Sequence, residues 1–172
     1  VIILGAAGRD FHNFNTYFRG NEKYEVVAFT ATQIPDIEGR NYSMELAGKL
    51  YTQGIPVYDE KNLPEVIEKT GAEVCVLSYS DLAHEQVMHI ASKVLALGPN
   101  FWLMGKKDTS LKSTKPVISI CAVRTGCGKS QTTRKIAVTL KEMGLKVVAI
   151  RHPMPYDADL NSQICQRYAN FE

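Results

Sequence analysis

The chain predicts an α/β protein: a doubly wound parallel sheet, followed by the start of a second α/β unit. Three observations lead there. Strand-like and helix-like segments alternate from end to end. The strand-like runs are apolar at successive positions, which suits strands buried on both faces of a parallel sheet flanked by helices. And two of the runs end in glycine-containing turns, at Gly5–Gly8 and at Gly126–Gly128.

The elements follow in order. "VIIL" (1–4) reads as a buried strand that ends in the turn Gly5–Gly8. "FHNFNTYFRGN" is polar and aromatic and predicts a short helix. "YEVVAFTAT" (24–32) is the second strand. "RNYSMELAGKLYTQG" is a loop or short helix, and "IPVYD" a short strand. Asn62 and Pro64 open a helix that runs through Lys69. "AEVCVLSYS" is another continuous apolar strand. From His84 to Leu97 the residues Val87, Ile90, Ala91, Val94 and Leu95 recur at helical spacing, so one face is expected to be buried. "NFWLMG" closes a domain of about five strands over residues 1–104.

"GKKDTSLKSTKP" (105–116) is polar and basic and ends in Pro116, so it reads as a linker. Residues 117–172 then begin a second unit. "VISICAV" predicts a strand, Lys129–Met143 a helix with an apolar stripe of Ile136, Ala137, Leu140 and Met143, and Gly144 its end. "LKVVAI" is the next strand. It runs into "RHPMPYDAD" and a last helix whose stripe is Leu160, Ile164, Tyr168 and Phe171.

Bulk composition narrows the class. The 172 residues are 45% hydrophobic and 22% charged, as in ordinary globular proteins. No apolar run approaches the roughly 20 residues of a membrane span. The four cysteines are scattered and suggest neither a disulfide framework nor a zinc site, so a cytoplasmic location is expected. Val1 is not a start methionine, so further residues are expected in front of it. The net charge of +2 is uneven: Gly105–Arg151 holds eleven Lys or Arg against two acids. A positive segment suits a polyanionic ligand, although solvated helix and linker lysines account for most of it.

The turn "AVRTGCGKSQTT" (122–133) carries the most specific chemistry. Gly128-Lys129-Ser130 is the second half of the phosphate-loop pattern G-x-x-x-x-G-K-[ST], with Val123 where the first glycine is usual. The predicted context of strand, turn and helix is the required one. Backbone N–H groups of Thr125, Gly126, Cys127 and Gly128 would form a nest for phosphate oxygens, helped by the helix N-terminus. Lys129 would reach the β- and γ-phosphates, and Ser130 would ligate Mg2+. Gln131 and Thr132, in the first helical turn, are counted with the nucleotide site. Arg124 could reach phosphates, as a second lysine does in a related group of phosphate-loop proteins, or be a solvated loop residue. Arg151 and His152, at the end of the next strand, would face the γ-phosphate and stabilise developing charge. Asp157 and Asp159 are candidates for a contact to the metal's ligand shell or for activating an acceptor, or else belong to a plain Pro-rich surface loop.

The first turn resembles a dinucleotide site only loosely. It lacks the full G-x-G-x-x-G, and no Asp or Glu ends the second strand, so NAD is disfavoured. Gly8, Arg9 and His12 could bind a small phosphorylated or carboxylated substrate, with Asp10 and Asn13 as structural caps. Asp81 reads as an N-cap, and His84 could look into the same crevice. Both are kept as substrate candidates.

Together "GAAGRDFHNFN", "YSDLAHEQVMHIAS", "KPVISICAVRTGCGKSQTTRKIA" and "IRHPMPY" resemble a family of predicted cytoplasmic GTPases related to cyclic 2,3-diphosphoglycerate synthetase. The resemblance implies a Rossmann-like domain followed by a P-loop NTPase domain, longer in the family than this chain. It also implies Mg2+-dependent ATP or GTP hydrolysis, coupled to phosphoryl chemistry on a small anionic metabolite. Lys129 and Ser130 match the family's loop. A Walker B strand and a guanine-reading Asn/Thr-Lys-x-Asp motif are missing from the sequence, so ATP and GTP both stay open. A second expectation is a nucleotide-gated metabolite switch or chaperone-like protein. Nucleic acid is disfavoured for want of interleaved aromatic and basic residues, and a homo-oligomer is left open.

Overall fold

A computed structural model describes residues 1–5, 8–32, 40–80, 82–122 and 126–150. Six strands form one sheet: β1 (Ile2–Leu4), β2 (Ala28–Ala31), β3 (Asn41–Tyr42), β4 (Ile55–Asp59), β5 (Val74–Leu77) and β6 (Asn100–Leu103). Their spatial order is β3-β4-β2-β1-β5-β6. All neighbours run parallel except the β3–β4 pair, which is antiparallel. The five parallel strands are those read from the sequence. The two-residue edge strand β3 falls in a segment read as a loop or short helix; it forms because Asn41 and Tyr42 find Pro56 and Ile55 opposite them.

The parallel strands are laid out from the centre. The chain moves outward from β1 through β2 to β4, then returns to the other side of β1 for β5 and β6. The order therefore reverses between β1 and β5, as in Rossmann-like doubly wound sheets, whose ligands collect beyond the carboxyl ends of the strands at that point. Register is tight across the reversal: Ile3 faces Phe29 on one side and Val76 on the other.

Side-chain alternation then separates two cores. Ile3, Phe29, Ala31, Val57 and Val76 point to one face, and Ile2, Leu4, Ala28, Cys75 and Leu77 to the other. The first face is covered by α1 (Arg9–Asn13) and a π-helical turn (Phe14–Phe18), which bring Phe11, Phe14 and Phe18 down onto the sheet. The π turn is closed by the Arg19 N–H donating to the Phe14 carbonyl at 2.9 Å. Phe14 packs edge-on to Phe29, Tyr42 and Tyr51, with ring centroids 5.2–5.8 Å apart. A short helix, α2 (Met44–Ala47), follows β3 and buries Ala47 in the same core.

The second face is covered by α3 (Leu63–Thr70) and α4 (His84–Ala96). Pro64 sits in the first turn of α3, where a missing N–H costs nothing. Gly71 ends that helix in the left-handed conformation. On α4 the expected stripe is buried at Ala91 and Val94 and half-buried at Val87 and Ile90, whereas Leu95 is exposed. The N-cap position of α4 is Ala83, whose N–H donates to Gln86 Oε1 at 3.0 Å. That corrects the reading of Asp81 as the cap; Asp81 itself lies outside the described residues.

The segment 105–116 begins with a helical turn, α5 (Lys106–Thr109), whose Thr109 is buried. Beyond it, α6 (Lys129–Glu142) forms where a helix was expected, and Gly144 follows with φ +79°. Its stripe is buried at Ala137 and half-buried at Ile136 and Leu140, while Met143 is exposed. Runs expected as strands were 117–123, described through Ala122, and 145–150. Among the described residues neither joins a ladder, and Val117, Ile118, Val148 and Ile150 are all more than half exposed. Among the described residues the fold class is therefore realised as one mostly parallel sheet. An apolar run signals a demand for burial, but a strand also needs a neighbour to take up its N–H and C=O groups. The last predicted helix and the residues from Arg151 onward lie outside the described residues.

Candidate functional site

Two places carry the candidate residues. The first is the turn that enters α6. Gly126 and Gly128 both have positive φ, +81° and +79°, and Gly128 occupies the N-cap position in the left-handed conformation. A Cβ at Gly126 would meet nothing within 4 Å, and at Gly128 only Gln131 Oε1 at 3.6 Å. Backbone conformation rather than crowding thus calls for glycine at both positions. The Gly128 carbonyl accepts from the Thr132 N–H at 3.0 Å, so the helix starts at Lys129 as the motif requires.

Among the described residues no side chain caps α6. The helix dipole favours an anion at that end. Lys129 and Gly128 are half-buried; Cys127, Ser130, Gln131 and Thr132 are exposed. Thr133, which follows them, turns its hydroxyl back onto the Lys129 carbonyl at 2.8 Å and is thereby tied into the helix. Among the described residues no group of three or more His, Cys, Asp or Glu could hold a metal. Arg124, Thr125, Arg151, His152, Asp157 and Asp159 lie outside the described residues.

The second place is the switch point between β1 and β5. The Gly5 N–H donates to the Thr30 carbonyl at 2.9 Å and the Ser78 N–H to the Leu4 carbonyl at 2.8 Å, which closes the carboxyl ends of three strands together. Gly5 has φ +130°, and a Cβ there would lie 3.5–3.6 Å from Ser78 and Asp10. Gly8, with φ +117°, is the N-cap position of α1, and its N–H donates to the buried carboxylate of Asp10 at 2.7 Å. Asn13, also buried, donates from Nδ2 to Ser78 Oγ at 2.8 Å.

His12 Nε2 donates to the Thr109 carbonyl at 2.5 Å, so its ring is turned toward α5. His84 is exposed at the start of α4, and Arg9 is exposed on α1.

What the sequence reading missed is Glu60, in the 3-10 turn directly after β4. Its Oε2 accepts from Tyr79 Oη at 2.6 Å and from Thr30 Oγ1 at 3.3 Å. Burial first, and then the hydrogen bond and charge of Glu60, push the Tyr79 phenol well above the usual tyrosine range, so it stays a donor to the carboxylate. The neighbouring Asp59 is instead paired with Lys61 at 3.0 Å. An acid just past a parallel strand, "YDE" at 58–60, is the signal that could have found Glu60; only the end of the second strand was searched for one.

Fold and turn thus define a doubly wound α/β protein with a glycine turn suited to an anion at the start of α6. No family model matches the chain. Over all 172 residues it is 63% identical to the arginine synthetase ArcE of Thermococcus kodakarensis, and it spans 38% of that protein's length. This finding overturns the resemblance to predicted GTPases related to cyclic 2,3-diphosphoglycerate synthetase, because a relative that similar over the whole chain carries a different name and product. The shared segments are those of a glycine-turn α/β architecture, which different chemistries use. Among the described residues no helix is long and apolar enough to cross a membrane.

Proposed function

We propose that this chain is part of an ATP-dependent synthetase whose product is arginine, and that the turn at 126–130 holds the triphosphate. The observation that supports phosphate binding is the pair of left-handed glycines leading straight into the helix that starts at Lys129. The product is suggested by the similarity to an arginine synthetase. A synthetase couples bond formation to cleavage of a nucleoside triphosphate, and such a turn serves the part of the reaction common to all of them.

In this reading the first-turn N–H groups of α6 bind phosphate oxygens, and Lys129 places its ammonium against the charge that develops on phosphoryl transfer. Ser130 holds Mg2+, whose remaining positions are filled by phosphate oxygens and water. The Lys129 side chain, half-buried, is screened less than a surface lysine and therefore acts more strongly. A small metabolite is the second substrate.

The test is titration of Mg-ATP into the intact protein and into its Lys129→Ala variant, with formation of arginine at the expense of ATP followed alongside. Loss of one charged hydrogen-bonding group predicts an affinity drop of about 30-fold, or about 2 kcal/mol. Equal affinity for the two proteins removes the phosphate assignment. Nucleotide turnover with no arginine formed removes the assignment of product.

A further inference from the structure

The segment 105–116, expected as a linker, opens with a turn that is docked. α5 has four residues, and a helix that short has no stability of its own in water. It persists because something holds it. Thr109 is buried, and its carbonyl accepts from His12 Nε2 at 2.5 Å. Its hydroxyl donates to the Gly105 carbonyl at 3.0 Å, so burial leaves that donor satisfied. Lys106, Lys107, Asp108 and Ser110 around it are exposed. With Thr109 its one buried residue, α5 is held lightly, and elements of that kind open locally while the rest of the fold stays closed.

His12 belongs to α1, and its neighbours on that helix hold the switch point. The Asp10 carboxylate accepts from the Gly8 N–H at 2.7 Å in the turn after β1, and Asn13 Nδ2 donates to Ser78 Oγ, at the end of β5, at 2.8 Å. Asp10 and Asn13 are each 1% exposed, whereas His12 is half-buried and reaches outward. The Thr16 hydroxyl donates to the His12 carbonyl at 2.8 Å and joins α1 to the π-helical turn, against which α5 lies. Five residues thus hold the glycine turn, the end of β5 and the start of the linker. So short a helix moves as one piece, and a shift at Asp10 or Asn13 is a shift at His12.

We infer that α5 is a latch: His12 holds the start of the 105–116 segment on the sheet domain, and α1 sets the strength of that hold according to the state of the switch point. Docked and released α5 are the two states. In the released state its turn unwinds and frees the segment that runs on to the glycine turn at 126–128. A ligand at the carboxyl ends of β1 and β5, where doubly wound sheets take them, biases the latch by favouring one placement of α1. His12 is a positioning residue in this device and touches no reacting group. The latch stands whether or not the glycine turn binds nucleotide.

The experiment is hydrogen exchange of the intact protein followed by NMR. The Ser110 amide, which donates to the Lys106 carbonyl at 3.0 Å, reports on α5, and amides of β1 and β2 report on the sheet. Wild type is compared with His12→Leu, His12→Gln and Ser78→Ala. His12→Leu is expected to speed Ser110 exchange roughly 3- to 10-fold, the worth of one hydrogen bond, and to leave the sheet amides at their wild-type rates. His12→Gln, which sets an amide N–H near the place of Nε2, should bring Ser110 back close to wild type. Ser78→Ala, made on β5 and outside α5, should speed Ser110 a few-fold. Equal Ser110 rates in wild type and His12→Leu overturn the latch. A Ser110 rate indifferent to Ser78→Ala overturns its link to the switch point. Should His12→Leu loosen the whole sheet, Thr109→Ala decides: it removes the buried side chain while favouring the helix, and an unchanged Ser110 rate refutes the latch.

Discussion

Tyr79 Oη donates to Glu60 Oε2 at 2.6 Å and so ties the end of β5 to the turn after β4, across two intervening strands of the sheet. The bond spans 19 residues of sequence and fixes a carboxylate that no local pattern would hold.

It has a consequence at alkaline pH. The folded phenol titrates above its ordinary value near 10, so above that pH the unfolded chain loses a proton that the folded one keeps. The unfolded state then binds fewer protons, and stability falls as pH rises further. Denaturant titrations at pH 8 and at pH 11 should show that loss in wild type and a smaller one in Tyr79→Phe. At pH 8 the variant itself should be less stable by about 1.5–3 kcal/mol, the worth of a hydrogen bond to a charged group.

Phe14 is fully buried among Phe29, Tyr42 and Tyr51 and holds the π-helical turn on the sheet. Phe14→Ala is expected to cost about 3–5 kcal/mol through lost burial and the cavity left behind. Phe14→Leu should recover much of that. Unfolding free energies by urea titration check both.

Gly54 has φ +71°, and a Cβ there would lie 2.5 Å from the Tyr42 carbonyl oxygen. That oxygen belongs to the backbone of β3 and cannot step aside as a flexible side chain could. Gly54→Ala is therefore expected to destabilise by about 1–2 kcal/mol from the left-handed conformation alone, with the clash in addition. Faster amide exchange at Tyr42 and Ile55 would accompany it if the β3–β4 pair is what opens.

The cysteines should separate by reactivity. Cys75 is fully buried in β5, and burial raises its thiol to about 11, so at neutral pH it offers almost no thiolate. Cys121 and Cys127 are exposed. Mass spectrometry after brief alkylation should find label at 121 and 127 and none at 75 until the protein is unfolded. Because Cys127 lies between the two left-handed glycines, saturating Mg-ATP is expected to slow its labelling and leave Cys121 less affected. Equal rates with and without nucleotide would argue against the turn as the phosphate site.

The chain by itself determined the five parallel strands, the burial of both sheet faces and the start of α6 at Lys129. Each of these rests on neighbouring residues: successive apolar positions, a proline or glycine at a helix end, two glycines before a lysine. The apolar runs at 117–122 and 145–150 join no strand among the described residues. Tertiary structure alone decided the strand order, and with it the meeting of Thr30, Glu60 and Tyr79 beside Asn13 and Ser78. Those residues lie on separate segments, and nothing in a local window says which segments adjoin. Their neighbourhood is set by the one arrangement that buries Phe14 and its partners on one face and Val94 and its partners on the other, while every inner strand finds hydrogen bonds on both edges.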